Sequence, residues 1–512
     1  MTHTIILPVL LPLLTALVLM FGSQRSLAWK RGVSLAATAA LLPLGLLLLQ
    51  QVYSGAYGVY VLGDWVAPFG IVLVLDRLSA LMLVLTALLS LPALLYASHG
   101  DDNTGPNFHA LFQFQLMGLN GAFLTGDLFN LFVFFEVLLI ASYALLLHGA
   151  GPARSRAGLH YVILNLVGSG LFLLAVGTLY GITGTLNMAD LAVRVAAAGP
   201  ADAPLLRAAG LLLLVVFALK AALLPLYFWL PRAYSAASAP VAALFAIMTK
   251  VGVYSIVRVY SLIFGAQAGL LADAALAWLW PLALATLVLG ALGALAAREL
   301  RTLIAYLVVV SVGTLLAGFA LNNSAALAAS LYYLLHSTLM AGGLFLLAGL
   351  IRTQRGAEGD QLHPAAPVSQ PALLGSLFFL AAVAVVGMPP LSGFIGKLLL
   401  LSSVTPGTQW IWLWAIVLGS GLLALITLSR AGSQLFWNTL DITPVAPRAD
   451  RLRLAGVVLL LASAPLLSLF AEPVHRYTQA TAAQLYAPAG YIHAVLGERD
   501  IPRLTIGLEE LP

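Results

Sequence analysis

Apolar residues fill this chain in long blocks, each running about 18–25 residues before charged or turn-forming residues intervene. A helix of that length crosses the hydrocarbon of a bilayer. About fourteen such windows follow one another, centred near residues 12, 43, 87, 116, 138, 170, 214, 250, 286, 310, 338, 385, 421 and 462. One stretch departs from the pattern. GVYVLGDWVAPFGIVLVLD (58–76) alternates and has a turn at its middle, which predicts an extramembrane β-hairpin at about 57–76. The N-terminal MTHTIILPVLLPLLTALVLMF lacks the basic opening of a signal peptide and reads as a retained first span. Beyond about 473 the chain turns more polar, in keeping with a surface helix. The expected fold is an all-α polytopic membrane protein.

Composition narrows the class further. Of the 512 residues, 61% are hydrophobic and 8% charged, and the mean hydropathy is +1.01. A water-facing surface needs about three times that share of charge. The net charge of +5 is no nucleic-acid footprint, because the arginines stand singly or in pairs between apolar runs, as membrane anchors do. With the N-terminus outside, fourteen basic residues fall in inner loops and seven outside, Arg499 and Arg503 among the latter. This positive-inside bias places both termini on the outer, periplasmic side of a bacterial inner membrane. Cysteine is absent, which removes iron–sulfur clusters, c-type haem and thiolate zinc sites. The nine histidines show no ligand-like helical pairing. No cofactor is expected.

Four charged side chains stand where hydrocarbon should be. The chain has four lysines; Lys30 lies in a loop, while Lys220, Lys250 and Lys397 lie inside apolar runs. The twenty arginines fall in loops or near span ends. Arginine stays charged at any relevant pH, whereas a desolvated lysine can lose its proton. Glu136 is the one acid deep in a span, and Asp127 stands nine residues earlier at the mouth of the same helix. An ionised group at mid-membrane costs about 3 kcal/mol, so retaining four calls for pairing or hydration. Glu136 and Lys220 can neutralise each other, and His336 is a titratable group at similar depth.

Two of the lysines sit beside predicted helix breaks. Pro225 and Pro231 follow Lys220; Pro389 and Pro390 precede Lys397, among Gly387, Gly393 and Gly396. Proline frees backbone groups, and within a membrane these survive only in protein or beside water. Lys220 is on the seventh span and Lys397 on the twelfth, so the two broken helices run in opposite directions. That parity predicts two inverted five-helix repeats, 105–262 (helices 4–8) and 275–435 (helices 9–13). They are preceded by helices 1–3 with the hairpin (1–104) and followed by helix 14 and a tail (436–512).

TGDLFNLFVFFEVLLIASYALL, LKAALLPLYFWLPRAYSAASAPVAALFAIMTKVGVYSIVR and VGMPPLSGFIGK resemble the antiporter-like subunit family. That family is shared by respiratory complex I, membrane-bound hydrogenases and Mrp-type Na⁺/H⁺ antiporters. The GDLFN–FFEV segment, the length and the lack of a long lateral C-terminal helix are most similar to the D-type branch of the Mrp antiporters. The resemblance implies a proton path. Glu136 on the fifth span partners Lys220 on the seventh, Lys250 bridges from the eighth, His336 relays on the eleventh, and Lys397 ends the path on the twelfth. Asp127, Tyr227 and Tyr234 are access or supporting positions. It also implies partner subunits of the A, B, C, E, F and G types, with protons and Na⁺ as the transported ions. Tyr227 and Tyr234 replace histidines common in the family, Arg232 an acid, and Met340 a lysine, so water is expected to carry more of the route from His336 to Lys397. Two other readings fit the same residues: a redox-driven proton-pumping subunit of a complex I-like enzyme or hydrogenase, and a scaffold whose lysines only hold helices together.

Overall fold

The computed structural model describes residues 2–65, 67–440 and 448–497; Arg499 and Arg503 lie outside them. Helix α1 (Leu7–Phe21) and helix α2 (Leu27–Val52) open the chain, and the Ser26 side chain caps α2 at the Trp29 N–H. The hairpin follows as expected: β1 (Gly58–Val61) pairs antiparallel with β2 (Val72–Leu75), Gly58 opposite Leu75. Asp76 then caps α3 (Arg77–Ala97) in a reciprocal box with Ser79.

The middle of the chain runs through α4 (Phe108–Leu124), α5 (Leu128–Leu147), α6 (Pro152–Thr183), the short α7 (Met188–Ala196) and α8 (Ala203–Ala221). Helices α9 (Trp229–Ala236), α10 (Ala239–Phe245) and α11 (Met248–Leu262) complete the first group. The second group is α12 (Leu276–Ala296), α13 (Leu300–Ala320), α14 (Ser324–Gln354), α15 (Pro371–Val386), α16 (Ser392–Ser402) and α17 (Thr408–Gly432). The chain closes with α18 (Arg451–Leu461), α19 (Ser463–Leu469), α20 (Ala471–Leu485) and α21 (Ala489–Leu496).

Every predicted window falls on helix. Among the described residues, 12 helical segments are long and apolar enough to cross a membrane. The other two windows are α4, which is 17 residues long, and the α15–α16 pair. The seventh span is α8 plus α9 and the twelfth is α15 plus α16, broken as expected. The eighth is interrupted too, between α10 and α11, with no proline there to announce it.

Matching details recur in the two groups. Asp127, the N-cap of α5, bridges antiparallel to Asn187, and Glu299, the N-cap of α13, bridges to Gln361, about sixty residues on in each case. Both first half-helices end on a left-handed residue, Ala222 (φ 61) and Gly387 (φ 85). Both close with a Schellman bond, Leu223 N–H to the Ala218 carbonyl (2.9 Å) and Met388 N–H to the Val383 carbonyl (3.1 Å). In both, the third residue onward is a cis proline, Pro225 or Pro390.

Burial separates an inner row from an exposed ring. The whole hydropathic window of α10–α11 is buried and 94% of those of α13 and α14, against 28% for α2. Side chains on the inner helices are therefore enclosed by other helices of the chain. At one end of the bundle, Arg258 of α11 (4% exposed) pairs with Asp76 (1% exposed) at 2.7 Å and lies over the rings of Tyr254 and Tyr491. Helix α20 crosses that end, with the Tyr477 hydroxyl donating to the Arg77 carbonyl (2.9 Å) and Gln484 donating to Gly55 (3.1 Å). This is the surface helix expected after about 473. At the other end, Arg31 grips Asp102 through two hydrogen bonds (2.6 and 2.8 Å), and His109 joins at 3.0 Å.

Candidate ion-translocation site

Asp127 caps α5 by accepting the Asn130 N–H at 2.8 Å. Its carboxyl is buried, and burial raises its pKa to about 6, against the backbone N–H of Asn130, which pulls it down. Two turns further on, Glu136 accepts a hydrogen bond from the Ser169 hydroxyl of α6. Lys220, in the last turn of α8, is 5% exposed. Its Nζ donates to the Asn165 side-chain oxygen of α6 at 3.1 Å and lies 5.9 Å from the Phe135 ring centroid. Glu136 and Lys220 thus meet through one face of α6, where Asn165 and Ser169 are four residues apart, and not as a direct ion pair. Asn165 is oriented in turn by donating to the Tyr161 carbonyl (2.9 Å).

The break after Lys220 is satisfied group by group. Trp229 Nε1 donates to the Leu219 carbonyl (3.0 Å), and the Leu224 N–H donates to the Thr286 hydroxyl of α12 (2.9 Å). Pro225 lies in the non-helical segment, whereas Pro231 falls in the first turn of α9, where a missing N–H costs nothing. Tyr227 is half-buried in the break. Tyr234, fully buried on α9, donates to the Phe245 carbonyl (2.6 Å) freed where α10 stops.

Lys250 starts the next half-helix and is 0% exposed. Its Nζ donates to the Ser311 hydroxyl of α13 at 2.8 Å, so it reaches from the first group into the second. Gly252 lets α11 lie against the end of α8; a Cβ there would come within 2.4 Å of the Ala221 nitrogen. His336, buried in the middle of α14, meets Ser392 of α16 through Nδ1 at 2.8 Å. Lys397, half-buried on α16, reaches back across the second break and donates to the carbonyls of Val386 (2.7 Å) and Val385 (3.2 Å). Pro389 and Pro390 form that break with Gly387. Met340 is buried on α14, one turn beyond His336.

Among the described residues none of the three lysines forms an ion pair. Each is held by neutral acceptors: an amide oxygen, a hydroxyl and two backbone carbonyls. Of the buried arginines, Arg258 and Arg301 are instead matched by Asp76 and Asp360, while Arg355 donates to the backbone carbonyls of Gln361 and His363. Neutral acceptors hold an amine whether or not it carries its extra proton, whereas a carboxylate partner locks the charge in place. Sequence reasoning missed Asn165, Ser169, Ser311 and Ser392. Their signal was there, as lone polar residues in VILNLVGSGLF, LVVVSVGTLL and PPLSGFIGK.

The fold and this site define a multi-pass membrane protein that carries buried amines at helix breaks. A family described as "NADH:quinone oxidoreductase/Mrp antiporter, TM" matches residues 125–424, and the chain belongs to it. It is 44% identical to the D subunit of a probable K⁺/H⁺ antiporter of Rhizobium meliloti (strain 1021), covering 96% of this chain and 97% of that protein. It is 38% identical to the D subunit of a Na⁺/H⁺ antiporter of Bacillus subtilis (strain 168), covering 97% and 100%. In three dimensions it superposes on a chain of the Mrp complex from Dietzia sp. DQ12-45-1b with a TM-score of 0.88 and 29% identity, covering 97% and 100%.

Proposed function

We propose that this chain is the D-type subunit of a multisubunit monovalent cation/proton antiporter. It moves protons along Glu136, Lys220, Lys250, His336 and Lys397, and it is a transporter and not an enzyme. The observation that carries the reading is that three lysines among apolar helices, two of them buried and Lys397 half-buried, are each held by a neutral acceptor. Proton uptake at one amine raises the cost of charge on its neighbours in a low-dielectric interior, and Glu136 offsets that cost at Lys220. The driving force is an ion gradient. The recurring bridges and Schellman turns support reading 105–262 and 275–435 as inverted units that each supply one half-channel. The names of the relatives support Na⁺ or K⁺ as the exchanged cation and further antiporter subunits as partners. They also support a bacterial inner-membrane location, and the arginine bias supports both termini on the outer side.

Replacing Lys220 or Glu136 with alanine and assaying exchange in everted vesicles tests this. Loss of exchange with normal assembly is expected; unchanged exchange defeats the reading. Loss of assembly in both variants instead marks the lysines as scaffold.

A further inference from the structure

The contact between His336 and Ser392 fixes how a proton gets on and off the imidazole. Besides meeting Ser392 through Nδ1, the ring lies against the turn that carries Gly393: a Cβ there would lie 1.9 Å from the Ala384 oxygen and 2.8 Å from His336 Nε2. The Ser392 hydroxyl that faces Nδ1 is itself fully buried.

The neighbouring carbonyls place Lys397 close by. Ala384, Val385 and Val386 end α15, where helix carbonyls lose their intrahelical partners. The first lies beside the Gly393 turn that His336 packs against, and the next two hold Lys397. Both head groups therefore sit beside one turn of α15, and Ser392 lies on the same helix as Lys397.

We propose that Ser392 is the proton-exchange partner of His336 on the way to Lys397. This rests on the transport reading above and adds a residue to its path. When the imidazolium gives up its proton, the Nδ1–H bond breaks and a bond to Ser392 Oγ forms. The hydroxyl releases its original proton to water on the Lys397 side, so serine ends unchanged and histidine returns to the Nε2–H tautomer. A cavity of about 20 Å³ beside His336, lined also by Ser311, Tyr333 and Ser337, is large enough for one water. It opens the ring to the side on which Lys250 holds Ser311.

Ser392→Ala, Ser392→Thr, His336→Ala and the Ser392→Ala/His336→Ala pair, each in the full complex, test this in everted vesicles. Assembly is followed by co-purification of the other subunits. Ser392→Ala is expected to assemble and to slow exchange by roughly a hundredfold, the lower range for a positioned proton-transfer group. Ser392→Thr, which keeps the hydroxyl, recovers most of the rate. The double variant exchanges no more slowly than His336→Ala, because both changes cut the same step. Wild-type exchange in Ser392→Ala overturns the proposal, as does additive loss in the double variant. A Ser392→Ala protein that fails to assemble also overturns it, by making the hydroxyl structural. Lys397→Ala run alongside separates the two levels: if it still exchanges, the transport reading has failed and not only the role of Ser392.

Discussion

The two broken helices solve one problem with different materials. At the first, Lys220 sits in the last turn before the break and hands its proton-bearing nitrogen to a side chain, Asn165. Glu136 is held one turn along the same face of α6. At the second, Lys397 sits beyond the break and reaches back to bare carbonyls of α15, in a setting shaped by glycines. Both ammonium groups end near the C-terminal end of a half-helix, where the helix dipole favours positive charge. The first site is tuned by replaceable side chains with an acid at hand. The second is set by backbone and by the space that Gly387 and Gly393 leave. Charge at the first site can respond to Glu136, whereas the second has a fixed environment.

The largest effects should come from the amines themselves. Lys220→Ala and Lys397→Ala are each expected to abolish exchange while the complex assembles; survival of exchange in only one would show that the breaks are not equivalent. Next comes Gly393→Ala. Its Cβ would meet the Ala384 oxygen at 1.9 Å, so α16 must move, at about 1–3 kcal/mol. A lower melting temperature and slowed exchange are expected. Gly168 at the first site faces the end of a flexible leucine, Leu219 Cδ2 at 2.6 Å, so Gly168→Ala should cost less by the same assays. Asn165→Leu removes the acceptor of Lys220 and should slow exchange by roughly tenfold, on the order of one lost buried hydrogen bond to a charged group. No side-chain deletion can do the same to Lys397, whose acceptors are backbone.

Smaller effects test the surroundings of the first site. Burial raises the pKa of Asp127 to about 6, so the folded protein holds that proton more tightly than the unfolded chain. Its contribution to stability is complete below about pH 4, declines as pH rises to about 6 and is flat above. Asp127→Asn should remove that decline from melting temperatures measured between pH 4 and 6. Ala222 holds φ 61, a conformation that costs a non-glycine residue about 1 kcal/mol. Ala222→Gly should recover part of that as a slightly higher melting temperature; the matching position in the second break, Gly387, already has it.

Much of this architecture could be read from residue patterns. Apolar windows located the helices, alternation located the hairpin, and proline with glycine located the breaks after Lys220 and before Lys397. These signals are local and one-dimensional. The interruption between α10 and α11 escaped because no proline or glycine marks it; its freed carbonyl is absorbed by Tyr234 from another helix. The partners of the lysines escaped for a related reason. A lone asparagine or serine in an apolar run is legible, but its facing residue lies 55 positions away for Asn165 and Lys220 and 61 for Lys250 and Ser311. Pairing Glu136 directly with Lys220 was the natural expectation from opposite charges. The interposed face of α6 was visible only in three dimensions.

Exchange by an assembled Lys220→Arg complex in everted vesicles tests most directly whether these amines are kept for proton release. Arginine keeps the positive charge and the hydrogen-bond donors but does not give up its proton in a protein. The expected result is a complex that assembles and does not exchange. Exchange at the wild-type rate would mean that charge alone suffices at this position, and the proton path drawn through Lys220 would be wrong.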